Sequence, residues 1–171
     1  IGPAGLEDTA PAPETRVYLF AGTQHANAES LSAPDDLSVD GTMRRYPPNV
    51  VDLRPLLRAA LVNLDRWVSS DDVPPPSAHP RLDDGSAVSP ARALASLGVV
   101  PGLAAPDPER LWVLRETDMG PEAAKGIARY PVEEGRAYPS HVSAVDADGN
   151  EVAGIRLPDL TAPIGTHAGW N

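Results

Sequence analysis

Cysteine is absent from the 171 residues, which excludes a disulfide framework and any thiolate metal site and leaves the redox compartment open. Aromatic residues are scarce, with three Trp, four Tyr and one Phe, so Leu, Val and Ala must supply most of any core. Positive charge is short as well: 14 Lys and Arg stand against 24 Asp and Glu, for a net charge of −10. Nucleic-acid binding rests on cations that neutralise phosphates, and an anionic membrane surface repels an acidic chain. Neither is an expected partner. No stretch approaches the ~18 consecutive apolar residues of a membrane span. No charged-then-apolar leader opens the chain, and in a piece of a larger protein that carries no information about compartment.

The catalytic motifs are missing too. No serine sits in G-x-S-x-G, S-x-x-K does not occur, and Lys125 is the only lysine. There is no P-loop, no dinucleotide fingerprint and no H-E-x-x-H, so no cofactor is expected. The chain does not hold a complete catalytic machine of these kinds.

Proline is abundant, at 20 residues. It breaks helices and strands, and the length suits roughly one domain of short elements and long ordered loops. Residues 1–15 are rich in Pro, Gly, Ala and acid and read as a loop or linker. Residues 16–21 (RVYLFA) form a short apolar run without polar alternation, the pattern of a strand buried on both faces in a parallel sheet. Residues 53–69 are predicted helical, with Leu56, Leu57, Ala60, Leu61, Leu64, Trp67 and Val68 on one apolar face. Asp52 is the expected N-cap and Pro55 fits the first turn. Leu57, Leu61, Leu64, Trp67 and Val68 are expected to be buried.

Further on, Val73–Pro80 holds Pro74-Pro-Pro76 and reads as a rigid connector. A short helix is expected at 90–97, capped by Ser89 and ended by Gly98. Leu111–Leu114 reads as a strand, and 121–129 as weakly helical. Residues 138–145 and 151–157 flank Asp146-Ala-Asp-Gly-Asn150, the composition of a β-hairpin turn. An EF-hand needs a Glu at the twelfth position, and counting from Asp146 that position is Leu157, so no calcium is expected.

His25 is the candidate catalytic residue. It lies in Gly22-Thr-Gln-His25, just past the apolar run. Ligands and catalytic groups gather beyond the carboxyl ends of strands in doubly wound sheets, and a histidine there can relay a proton to or from a serine elsewhere. The competing reading is a loop histidine without a role. His79, His141 and His167 lack ligand spacing, and no metal site is expected from them.

Residues 17–25 (VYLFAGTQH), 57–68 (LRAALVNLDRWV), 74–80 (PPPSAHP) and 163–171 (PIGTHAGWN) resemble landmarks of a group of large bacterial proteins, the α/β-hydrolase domain proteins. The likeness spans residues 16–171. It implies that the chain is the later part of such a hydrolase, with 16–21 as the last strand of the sheet and His25 as the triad histidine. The helix at 53–69 would be the closing helix packed on that sheet. The order of triad residues on this fold is Ser, acid, His, so nucleophile and acid would lie upstream. Glu7 and Asp8, the acids shortly before the run, follow no strand and do not suit the triad role.

The fold class expected is therefore α/β, as a fragment. Residues 1–70 would carry the last strand, the His loop and the closing helix of a hydrolase-like domain. Residues 71–171 would be a Pro-rich extension with short helices and a β-hairpin. The functional expectation is a segment of a carboxylester-type serine hydrolase that supplies the histidine, partnered by the rest of the hydrolase and a small ester. The alternative is a non-catalytic structural or interaction module. The Pro-rich stretch suits that alternative, and it also suits a lid over a substrate pocket.

Overall fold

A computed structural model describes residues 1–24, 38–39, 42–43 and 49–168. In chain order the elements are β1 (Ser38–Val39), β2 (Thr42–Met43), α1 (Arg54–Ser70), β3 (Ala87–Val88), α2 (Pro90–Leu97), β4 (Arg115–Asp118), β5 (Glu133–Ala137), β6 (Val142–Ser143) and α3 (Pro158–Thr161). The strands pair antiparallel as β1–β2, β3–β6 and β4–β5. Parallel pairing among the described residues is confined to two isolated bridges, Tyr18 with Ala78 and Phe20 with Ile155.

Those bridges organise the molecule. Residues 17–21 run extended without becoming a regular strand. Leu19 N donates to Ala78 O (2.9 Å) and Ala78 N to Val17 O (3.0 Å), while Ile155 N donates to Leu19 O (2.8 Å) and Ala21 N to Ile155 O (3.1 Å). Alternate residues of an extended chain turn their amide and carbonyl groups to the same edge. Val17, Leu19 and Ala21 therefore use one edge, along which residues near 78 and near 155 lie end to end. The expectation that 16–21 is buried on both faces is corrected: Val17 is exposed and Tyr18, Leu19 and Phe20 are half-buried. The 74–80 stretch is also more than a connector, since Ser77 Oγ accepts from Val17 N (3.0 Å) and the Tyr18 hydroxyl donates to Pro75 O.

Two glycines permit this packing. Gly22 (φ +65°) lies against Leu160, where a Cβ would come within 2.6 Å of Cδ2. Gly154 (φ +84°) brings its backbone onto the Leu19 carbonyl, where a Cβ would collide. Both conformations disfavour side chains. Leu160 is fully buried and forms a small core with Ala21 and Val51, against which Leu157 packs. Ala87, Val88, Ala93, Leu97, Val100 and Ala153 are buried as well. The helix at 90–97 starts where Ser89 accepts from Arg92 N and ends at Gly98. Residues 1–15 are ordered rather than linker-like: Asp8 accepts from Leu82 N (2.9 Å) and Asp83 N (3.0 Å) and so anchors the N-terminal loop to that turn.

Three further expectations are corrected. Leu53, not Asp52, is the N-cap of α1; Asp52 instead accepts from Arg54 N (3.0 Å) and pairs with the Arg54 guanidinium. Helix α1 contains no buried residue: Leu57, Leu61, Leu64 and Val68 are exposed, and Trp67 is half-buried. The side turned to the rest of the chain is Leu56, Ala60, Asn63 and Trp67, one flank of the expected apolar face, about one residue's rotation (~100°) from the exposed Leu57, Leu61, Leu64 and Val68. Arg16 stacks over the Trp67 ring at 4.9 Å. Finally, the strand expected at 111–114 forms at 115–118. Opposite charges face each other there, with Arg115 near Glu134 and Glu116 bonded to Arg136, and such cross-strand pairs stabilise a ladder. Residues 121–129 contribute one 3-10 turn, Ala123–Lys125.

Candidate functional site

The carboxyl end of the 17–21 segment is built as a tight polar junction. Thr23 Oγ1 donates back to Phe20 O (2.7 Å), which turns the chain after Phe20. Gly22 N donates to Glu151 Oε2 at 2.6 Å. Asn49 joins several segments: its Nδ2 donates to Gly22 O and to Ala168 O (3.0 Å), and its Oδ1 accepts from Val51 N (3.0 Å). Gln24 completes the junction, donating to Asn49 O (3.2 Å) and accepting from Asn49 N (3.3 Å). His25 directly follows Gln24 and lies outside the described residues.

Glu151 reaches the junction because the turn before it is closed by hydrogen bonds. Asp146 N donates to Asn150 O (2.9 Å), Gly149 N to Asp146 O (3.1 Å), and Val145 bridges Glu151. Only the inner ends of the expected hairpin pair in this way. Val142–Ser143 turns aside to β3, and residue 155 turns to Phe20. The Asp146 carboxylate is fully engaged, accepting from Asp148 N and Asn150 N on Oδ1 and from Arg156 on Oδ2. Asn150 is 0% exposed. Its Nδ2 donates to Gly165 O (3.1 Å) and its Oδ1 accepts from His167 N (2.7 Å). That pins residues 165–167 and so presents Ala168 O to Asn49.

Burial raises the Glu151 carboxyl above the ordinary glutamate range, and the Gly22 N–H opposes the shift only in part. A carboxyl poised this way can exchange a proton closer to neutrality than a solvated one. Of the other histidines, His167 reaches the junction through its backbone N–H on Asn150 Oδ1, while His79 and His141 lie elsewhere. His79 Nδ1 lies 3.0 Å from Pro80 O, and His141 Nδ1 is buried without a partner among the described residues. Among the described residues no His, Asp and Glu cluster could hold a metal ion, and no serine is hydrogen-bonded to a histidine. Asp8 acts as a turn anchor.

The sequence singled out His25 but not Glu151, Asn49, Gln24 or Asn150. A lone acid opening the otherwise apolar 151–155 stretch (EVAGI) was the available signal for Glu151. Asn49, between Pro48 and Val50, carried none.

The chain belongs to the alpha/beta hydrolase domain family, whose family model matches residues 3–171. Membership points to hydrolase-type chemistry. Comparison with curated proteins gives no match, and comparison with solved structures gives none either.

Proposed function

We propose that this chain is the part of a carboxylester-type serine hydrolase that supplies the general base, His25. In this reading the nucleophilic serine and the triad acid belong to a part of the hydrolase outside these residues, and the substrate is a small ester. The supporting observation is the second edge of the 17–21 segment, on which, among the described residues, only the Phe20 carbonyl is taken, by Thr23 Oγ1. Val17, Leu19 and Ala21 use one edge, while the amides of Tyr18 and Phe20, which face the other, have no hydrogen-bond partner among the described residues. Unpaired strand edges are templates for further strands, so a sheet completed on that edge would carry His25 at its carboxyl end, where such folds do chemistry.

A triad histidine takes the serine proton and returns it to the leaving group, while an acid fixes its tautomer. Alone, it supplies weak base catalysis at most. The 171-residue chain is therefore expected to show negligible esterase activity, and none of its serines should react with a fluorophosphonate probe. Robust labelling of a serine in this chain would overturn the reading. The interaction-module alternative draws support from Trp112, Leu114, Tyr130 and Ile164, all exposed. It would be preferred if the histidine proved dispensable.

A further inference from the structure

We infer that the exposed apolar stripe of α1 is a self-pairing surface, on which a second copy of this chain docks as an antiparallel helix. Leu57, Leu61, Leu64 and Val68 are 46%, 66%, 52% and 80% exposed. Their spacing of four, three and four residues is that of the a and d seam in a two-helix coiled coil. The body of the chain occupies a different side, through Leu56, Ala60, Asn63 and Trp67, and leaves this seam open.

Charge complementarity selects the partner. Arg58 and Asp65 are exposed and follow Leu57 and Leu64 by one position, so both flank the seam on the same side, at its opposite ends. In a two-fold antiparallel pair this flank meets its own copy in reverse. Arg58 then faces Asp65 of the second copy, and Asp65 faces Arg58, while Leu61 packs on Leu64. A parallel pair would set the Arg58 and Asp65 flank against the opposite flank of the second copy, which carries Ala60 and Trp67, and would pair neither charge. The first turn of the helix holds no acid and the last no base, so these charges gain nothing from the helix dipole. On the flank beside the seam, a base near the amino-terminal end and an acid towards the carboxyl-terminal end suit an antiparallel copy.

Sedimentation equilibrium on the 171-residue chain tests this, with circular dichroism confirming that each variant keeps its helix. The wild-type chain is expected to dimerise reversibly. Arg58→Asp and Asp65→Arg should each weaken the dimer by about tenfold or more at low salt, since each creates two like-charge contacts. The double variant Arg58→Asp/Asp65→Arg should recover the wild-type affinity. Leu61→Glu should abolish the dimer. A chain that stays monomeric at hundreds of micromolar overturns the inference and leaves the stripe to another surface, such as the rest of a hydrolase. A dimer indifferent to the single reversals, or not restored by the double one, overturns it too.

Discussion

Glu151 and Asn150 are neighbours with opposite electrostatic situations. Glu151 is a carboxyl held above its ordinary range by burial. Its protonated form suits the folded state, so its contribution is fullest below the ordinary glutamate value and is lost as pH rises through the higher folded value. Glu151→Gln keeps an acceptor for Gly22 N and removes that dependence. The variant is expected to be at least as stable as wild type at pH 7 and to lack the wild-type decline above the glutamate range, which thermal melts across pH would show. Asn150 is neutral and satisfied, bonding Gly165 and His167 from a fully buried position. Asn150→Ala strands those backbone groups, and equilibrium denaturation should register a loss of about 1–3 kcal/mol. The role of Asn150 was not legible in the sequence, and Glu151 showed only as a lone acid in an apolar stretch, because each draws its role from contacts with segments distant along the chain.

At the scale of elements, local chemistry was legible and coverage was not. The helix at 54–70, the Ser89 cap of α2 and the turn at 146–150 follow from proline placement, capping and Asp-Gly, which act within a few residues. The burial of α1 failed because periodicity reports that a stripe is apolar, not what lies against it. Trp67, half-buried under Arg16, should accordingly lose less on truncation than the ~3–5 kcal/mol of a fully packed aromatic. The strand at 115–118 escaped the apolar reading because charge pairs set it. Asp52 now has a definite part, accepting from the first amide of α1 and pairing with Arg54, whose hydrogen bonds bring its pKa down to about 2. A depressed carboxyl stabilises above its unfolded value and loses that contribution as pH falls through the folded one. The first turn of α1 should therefore hold at pH 4 and loosen towards pH 2, and an NMR titration of the Asp52 carboxyl carbon with the Arg54 amide would track it.

The whole molecule is a set of short elements tied by loops. Its small core of Ala21, Val51 and Leu160 lies at the end of the 17–21 segment, which among the described residues carries parallel neighbours on one edge only. The α/β-hydrolase domain family expected from the sequence is borne out by the family match over residues 3–171. Among the described residues the 17–21 run forms no regular parallel strand, since its two parallel neighbours, near 78 and near 155, each meet it at a single bridge. His25 is the point at which the proposed function stands or falls. The most direct measurement is kcat for ester hydrolysis by a hydrolase carrying this chain, with His25 intact and with His25→Ala. Removing a triad base lowers kcat by at least ~10³-fold, and that loss is the expected result, with the fold and substrate binding retained. Ester hydrolysis unchanged by His25→Ala would contradict the account.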